Sequence, residues 1–193
     1  MISGIILASG FSRRMGKEKL LLKVWGIPML ERVIQAAQAS RLDELILIYH
    51  SDEIRELGEK HGITTVYNPH PEDGQSAALK AGVKCANPAN NGFMFLVGDQ
   101  PYLRSLTIDT LIAVFNKDMN CIVVPVYGEA RGNPVIFPLA LKHELLCLEG
   151  DHGGRSLIER MQHRVTLVAM GGAMEATDVD TAEDYEKVKD SLA

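Results

Sequence analysis

Gly10 and Gly16 stand among the cations Arg13, Arg14, Lys17 and Lys19, directly after the apolar run Ile5-Ile6-Leu7. Glycine lets a backbone turn tightly and present bare N–H groups to an anion. Arg14 and Lys19 add the mobile positive charge that a polyphosphate requires. The chemistry these residues suit is capture of a phosphorylated ligand by a loop leaving a buried strand. Neither common phosphate loop is present. A Walker A loop needs four residues between its glycines and Lys-Ser/Thr after the second, whereas five separate Gly10 from Gly16 and Glu18 follows Lys17. The dinucleotide pattern GxGxxG is also missing.

The segment from Leu7 to Lys19 resembles the signature of the MobA-like nucleotidyltransferases, LAxGxSxRMGxxK. It matches at Leu7-Ala8, Gly10, Ser12, Arg14-Met15-Gly16 and Lys19. That family takes in the molybdenum cofactor cytidylyl- and guanylyltransferases, and its relatives activate sugar and polyol phosphates. The resemblance implies a Rossmann-like fold of the nucleotide-diphospho-sugar transferase type. It implies that the Leu7-Ala8-Ser9-Gly10 backbone lies against base and phosphates, with Arg14 and Lys19 on the triphosphate. Ser9 departs from the pattern, where Ala goes with cytidylyl and Gly with guanylyl transfer.

In nucleotidyl transfer a phosphate attacks the α-phosphorus of a nucleoside triphosphate and expels pyrophosphate. Both partners are anions, so charge neutralisation and in-line positioning dominate. Mg²⁺ held by carboxylates serves this well, since it bridges phosphate oxygens and keeps several waters. Asp99 is the first candidate ligand, in Val97-Gly98-Asp99-Gln100-Pro101 just past the run Phe93 to Val97. Asp180 is the second, in Thr177-Asp178-Val179-Asp180-Thr181-Ala182-Glu183-Asp184. An extended backbone would put Asp178 and Asp180 on one face, although either could instead cap the last helix. The family's GDxP segment and its closing D-[IV]-D-T-x-E-D motif resemble these stretches and imply that Asp180 approaches the metal. Gln100 is the form associated with cytidylyl transfer.

Three further polar loops complete the candidate set. Gly74-Gln75-Ser76 precedes an expected helix from Ala77 to Val83, so its N–H groups and Ser76 could meet a phosphate or base edge, or form a plain helix cap. The resemblance adds Asn68 and Gly74 as nucleotide contacts. Glycines around Arg155 at a helix start suit an acceptor phosphate. Segments around Asn133 and from Asp151 to Arg155 resemble the G-x-P and GDxGxR segments of the cytidylyltransferase branch, on the acceptor side. The resemblance thus points to CTP and the molybdopterin cofactor as substrates, Mg²⁺ as cofactor and a molybdenum hydroxylase as downstream partner. A transferase for sugar or polyol phosphates, and a non-catalytic nucleotide- or cofactor-binding module, are the competing readings.

The elements that must position these loops alternate along the chain. Ile5–Leu7, Leu45–Ile48, Phe93–Val97 and Ile122–Val124 are continuous apolar runs, as strands covered on both faces should be. Leu30, Val33, Ile34 and Ala37, and likewise Ile108, Leu111, Ile112 and Phe115, make helical stripes. Pro28 suits the first turn of the former helix and Ser105 a cap for the latter. A short helix follows Ser51, a strand spans Thr64 to Tyr67, and Val126 to Phe137 suggests a hairpin or irregular excursion. A helix from Leu139 to Leu148, another around Leu157, a strand near Val165 and a final helix opened by Thr181 with Asp184 follow. The sum is an α/β fold, a mainly parallel sheet with helices on both faces, expected as one domain over residues 1–193. Ligands in such sheets sit at the C-terminal strand ends.

Bulk properties agree. The 193 residues, 46% hydrophobic and 23% charged, suit one ordinary core. A net charge of −5 argues against broad nucleic-acid binding, which needs a cationic surface. Cys85, Cys121 and Cys147 form no CxxC pair and read as buried thiols. The histidines form no HxxxH or HExxH pattern. No signal peptide or span of ~20 apolar residues is visible, which leaves a cytoplasmic protein off the membrane as the expectation.

Overall fold

The computed structural model describes residues 1–10, 18–150 and 153–189. Its strands are β1 (Ile2–Ala8), β2 (Lys23–Val24), β3 (Ile27–Pro28), β4 (Glu44–Tyr49), β5 (Thr64–Tyr67), β6 (Gly92–Val97), β7 (Ile122–Tyr127), β8 (Ala130–Arg131), β9 (Val135–Pro138) and β10 (Val165–Met170). Its helices are α1 (Met29–Gln38), α2 (Asp52–Lys60), α3 (Gln75–Cys85), α4 (Ser105–Phe115), α5 (Lys142–Leu146), α6 (Arg155–Arg160) and α7 (Ala182–Val188).

The main sheet runs β10-β7-β9-β6-β1-β4-β5, with β8 hairpinned onto β7. All its neighbours are parallel except those of β9 and the short β8. Alternation of side chains across each strand fills two cores. Ile6, Leu47, Leu96 and Val123 pack with Leu30 and Ile34 of α1, Ile54 of α2 and Ile108 of α4 on one face. Ile5, Ile46, Phe95 and Val124 pack with Leu79 of α3, Leu145 of α5 and Leu157 of α6 on the other. The expected α/β architecture with covered faces is the one observed.

Several local expectations need correction. Residues 126–137 hold more than an excursion: after the β7–β8 hairpin, β9 inserts between β6 and β7 with all four residues buried. The expected 139–148 helix is only a 3₁₀ turn followed by the five-residue α5. Ser105 is the first helical residue of α4 and not its cap; Arg104 takes that position without a side-chain capping bond. Pro28 ends β3 one residue ahead of α1. Only Cys121 is buried, because Cys85 and Cys147 fall at the ends of α3 and α5, where helices meet solvent.

The sheet order creates the crevice. From β1 the chain proceeds to β4 and β5 on one side, while β6 lies on the other. This reversal places Ser9 and Gly10 after β1 beside Gly98 and Asp99 after β6, at neighbouring C-terminal strand ends, where open α/β sheets bind ligands.

Candidate active site

Lys19 opens a 3₁₀ turn, Lys19–Leu21, whose Leu20 is buried. A Cβ on Gly98 would lie 3.2–3.4 Å from methyl carbons of Leu20 and Leu30. Glycine therefore lets that turn close onto the end of β6, and Gly98 is a site residue that its place beside Asp99 could have revealed. The result is a convergence of oxygens on one ammonium. Lys19 Nζ donates to Asp99 Oδ2 at 2.9 Å, Asp180 Oδ1 at 2.9 Å and the Val179 carbonyl at 3.1 Å.

The segment carrying Asp180 is anchored on both sides. Val179 is fully buried with Val24, Met29, Tyr102 and Val188, so its neighbours Asp178 and Asp180 turn the other way. Val179 N donates to the Asp99 carbonyl at 3.2 Å, and Gln100 Nε2 donates to Asp178 Oδ1 at 2.8 Å. Upstream, the buried Glu175 carboxylate accepts from Arg104 and Thr107. Downstream, Thr181 Oγ1 accepts from Asp184 N at 3.1 Å, while Thr181 N donates to Asp184 Oδ2 at 3.0 Å, a complete capping box. Thr181, not Asp180, caps α7, and the Asp180 carboxylate accepts from Lys19.

Charge follows this geometry. Burial opposes the Lys19 charge, but the pull of Asp99 and hydrogen bonds to Asp99 and Asp180 outweigh it and raise its pKa above the ordinary lysine value. Desolvation, then the negative charge of Asp99, raises the Asp178 carboxyl.

On the other side of β1, the buried Ser9 and Asn68 join: Asn68 Nδ2 donates to Ser9 Oγ at 2.9 Å. Gly74, at φ +79°, precedes α3. Ser76 departs from its expected role, because its hydroxyl is buried and donates to the Asp73 carbonyl while its N–H donates to Gly150 O. Both of its donors brace the loop. Gly153 closes that brace; a Cβ there would sit 2.1 Å from Gln75 Oε1. Asn133 leads into β9, whose Val135 pairs with Phe95 near the C-terminal end of β6, and its carbonyl accepts from Tyr127. Arg155 opens α6 and is exposed. Arg14, Ser12 and Asp151 lie outside the described residues. Gln100 is buried and its amide nitrogen donates to Asp178.

Two carboxylates and a carbonyl are hard oxygen donors, the set Mg²⁺ prefers over softer metals. Among the described residues, no group of three or more His, Cys, Asp or Glu could hold a metal ion. A cation held here would need water and substrate phosphates to complete its shell, as Mg²⁺ usually does.

A Rossmann-like sheet with cationic and acidic side chains meeting at its switch point defines a nucleotidyltransferase of the NTP transferase class. The chain belongs to the MobA-like NTP transferase family, whose domain model matches residues 4–165. Purine catabolism protein PucB of Bacillus subtilis (strain 168) is 28% identical, covering 98% of this chain and 97% of PucB. The molybdenum cofactor cytidylyltransferase of Escherichia coli (strain K12) is 25% identical over 98% of this chain and 96% of its own. Among solved structures, Rv0371c of Mycobacterium tuberculosis H37Rv has a TM-score of 0.86 at 28% identity, with 98% of both chains covered. A manganese complex of Rv0371c aligns with a TM-score of 0.83 at 26% identity over 99% of both chains. Among the described residues, no helix is long and apolar enough to cross a membrane.

Proposed function

We propose that this enzyme transfers CMP from CTP to the molybdopterin cofactor and releases pyrophosphate, with Mg²⁺ held by Asp99 and Asp180. The observation that carries the reading is the meeting of Lys19, Asp99 and Asp180 at the switch point. The near full-length likeness to the Escherichia coli cytidylyltransferase supports CTP and the molybdenum cofactor, and the manganese complex of Rv0371c supports a divalent ion.

Each group has a task in this reading. The Leu7-Ala8-Ser9-Gly10 backbone receives the nucleotide, with Ser9 braced by Asn68 and Gly74 bordering the same pocket. Lys19 and Arg14 neutralise the triphosphate. Bound Mg²⁺ would withdraw electron density from the phosphate oxygens and offset the charge of two approaching anions. Asn133, Asp151 and Arg155 receive the acceptor. Its phosphate is already largely ionised near neutral pH and needs little base catalysis, so positioning and electrostatics are what the chain supplies. A cytoplasmic enzyme handing its product to a molybdenum hydroxylase fits this role.

Pyrophosphate release with each NTP, with and without molybdopterin, tests the proposal. The expected result is release with CTP that requires the molybdenum cofactor. Turnover on a sugar phosphate alone would move the enzyme to that acceptor class, and tight NTP binding without release under any acceptor would make it a binding module.

A further inference from the structure

We propose that Lys19 is an internal counter-ion that occupies the cation position, so that divalent metal and triphosphate are admitted together. The inference rests on the metal assignment to Asp99 and Asp180 made above.

The oxygens that would receive a dication are the ones the Lys19 ammonium now contacts: Asp99 Oδ2, Asp180 Oδ1 and the Val179 carbonyl, all within 2.9–3.1 Å. An ammonium and a dication cannot share these contacts at such distances, and like charges repel. A metal entering alone must therefore evict a half-buried cation from two carboxylates. The backbone beneath is fixed, with Leu20 buried against Gly98 and Val179 locked in its own apolar cluster. The lysine stem is the adjustable part, since its four carbons rotate freely. A triphosphate on the loop at residues 7–10 offers the ammonium a second set of oxygens. Lys19 can move to the phosphates as the metal takes the carboxylates, and each ligand then strengthens the other, as linkage requires. Lys19 is a positioning group in this step, distinct from its charge-neutralising role during transfer.

The test is Mn²⁺ binding, followed by the electron paramagnetic resonance signal of the free ion, to the intact chain without nucleotide. Wild type is expected to bind weakly, and Lys19→Met on the order of tenfold more tightly. Lys19→Arg keeps the charge and is expected to stay weak, which separates charge from packing; Lys19→Gln replaces the methionine variant should that one fail to fold. A non-hydrolysable CTP analogue is expected to tighten Mn²⁺ binding in wild type and to do so much less in Lys19→Met. Asp99→Asn combined with Lys19→Met should abolish the gain. If Lys19→Met binds Mn²⁺ no better than wild type at a site still sensitive to Asp99→Asn, the counter-ion role is overturned and the metal site stands. If Mn²⁺ binding ignores Asp99→Asn in both backgrounds, the metal assignment itself falls and the counter-ion role with it.

Discussion

Asn68 donates its side-chain amide to the Ser9 hydroxyl across 2.9 Å, tying the end of β5 to the end of β1 over 59 residues of chain. Both residues are buried, so removing one partner strands the other. Ser9→Ala is expected to cost about 1–3 kcal/mol of stability and to raise the KM for nucleotide more than it lowers kcat. A denaturant series on Ser9→Ala, Asn68→Ala and the double variant checks it; strictly additive losses would show that the two are not coupled.

Asp99→Ala should leave the fold intact and lower Mg²⁺-dependent turnover by at least roughly 100-fold, the scale of losing one preorganised electrostatic group. Far-UV circular dichroism beside a pyrophosphate assay separates the two effects. Near-normal rates would remove Asp99 from the metal site.

Lys19→Ala is expected to weaken triphosphate binding or turnover by roughly 2–4 kcal/mol. Titration with a non-hydrolysable CTP analogue in the presence of Mg²⁺, together with kcat/KM, measures this. Unchanged values would mean that the ammonium serves only the carboxylates.

Asp178 gives a pH signature. Its carboxyl is raised in the folded chain by desolvation and by the charge of Asp99. Between the ordinary carboxylate value and that raised one, the folded state binds more protons. Stability therefore climbs as pH falls through the raised pKa and levels off below the unfolded value. At neutral pH the ionised group is destabilising. Asp178→Asn can still accept from Gln100, and should raise the melting temperature at neutral pH with a gain that shrinks toward about pH 4. A gain that grows on acidification would contradict this.

Thr181→Ala removes the oxygen that caps α7 and should cost about 1 kcal/mol, with Thr181→Ser restoring most of it. Thermal unfolding of the three proteins decides it.

Local signals in the chain were good guides where one physical rule dominates. Ile5-Ile6-Leu7 and Phe93–Val97 read as buried strands because both of their faces are covered. Thr181 and Asp184 read as a capping box because that device is complete within four residues. β9 was hidden because its partners, β6 and β7, lie elsewhere in the chain, and Gly132 and Pro134 mimic a loop. Ser76 looked like a ligand contact because serine beside a helix start carries no mark of whether its partner is a phosphate or, as here, the Asp73 carbonyl. The Arg104–Glu175–Thr107 brace was equally invisible, since about 70 residues separate its ends. Asp99 and Asp180 were legible as carboxylates, but only the fold could show both on one lysine.

The most direct measurement is a crystal structure of the wild-type chain with Mn²⁺ and a non-hydrolysable CTP analogue, the ion located by its anomalous signal. The expected result is an ion coordinated by Asp99 and Asp180, with the triphosphate lying along residues 7–10 and Lys19 turned to it. An ion away from both carboxylates, or a nucleotide bound away from the β1 loop, would contradict the account.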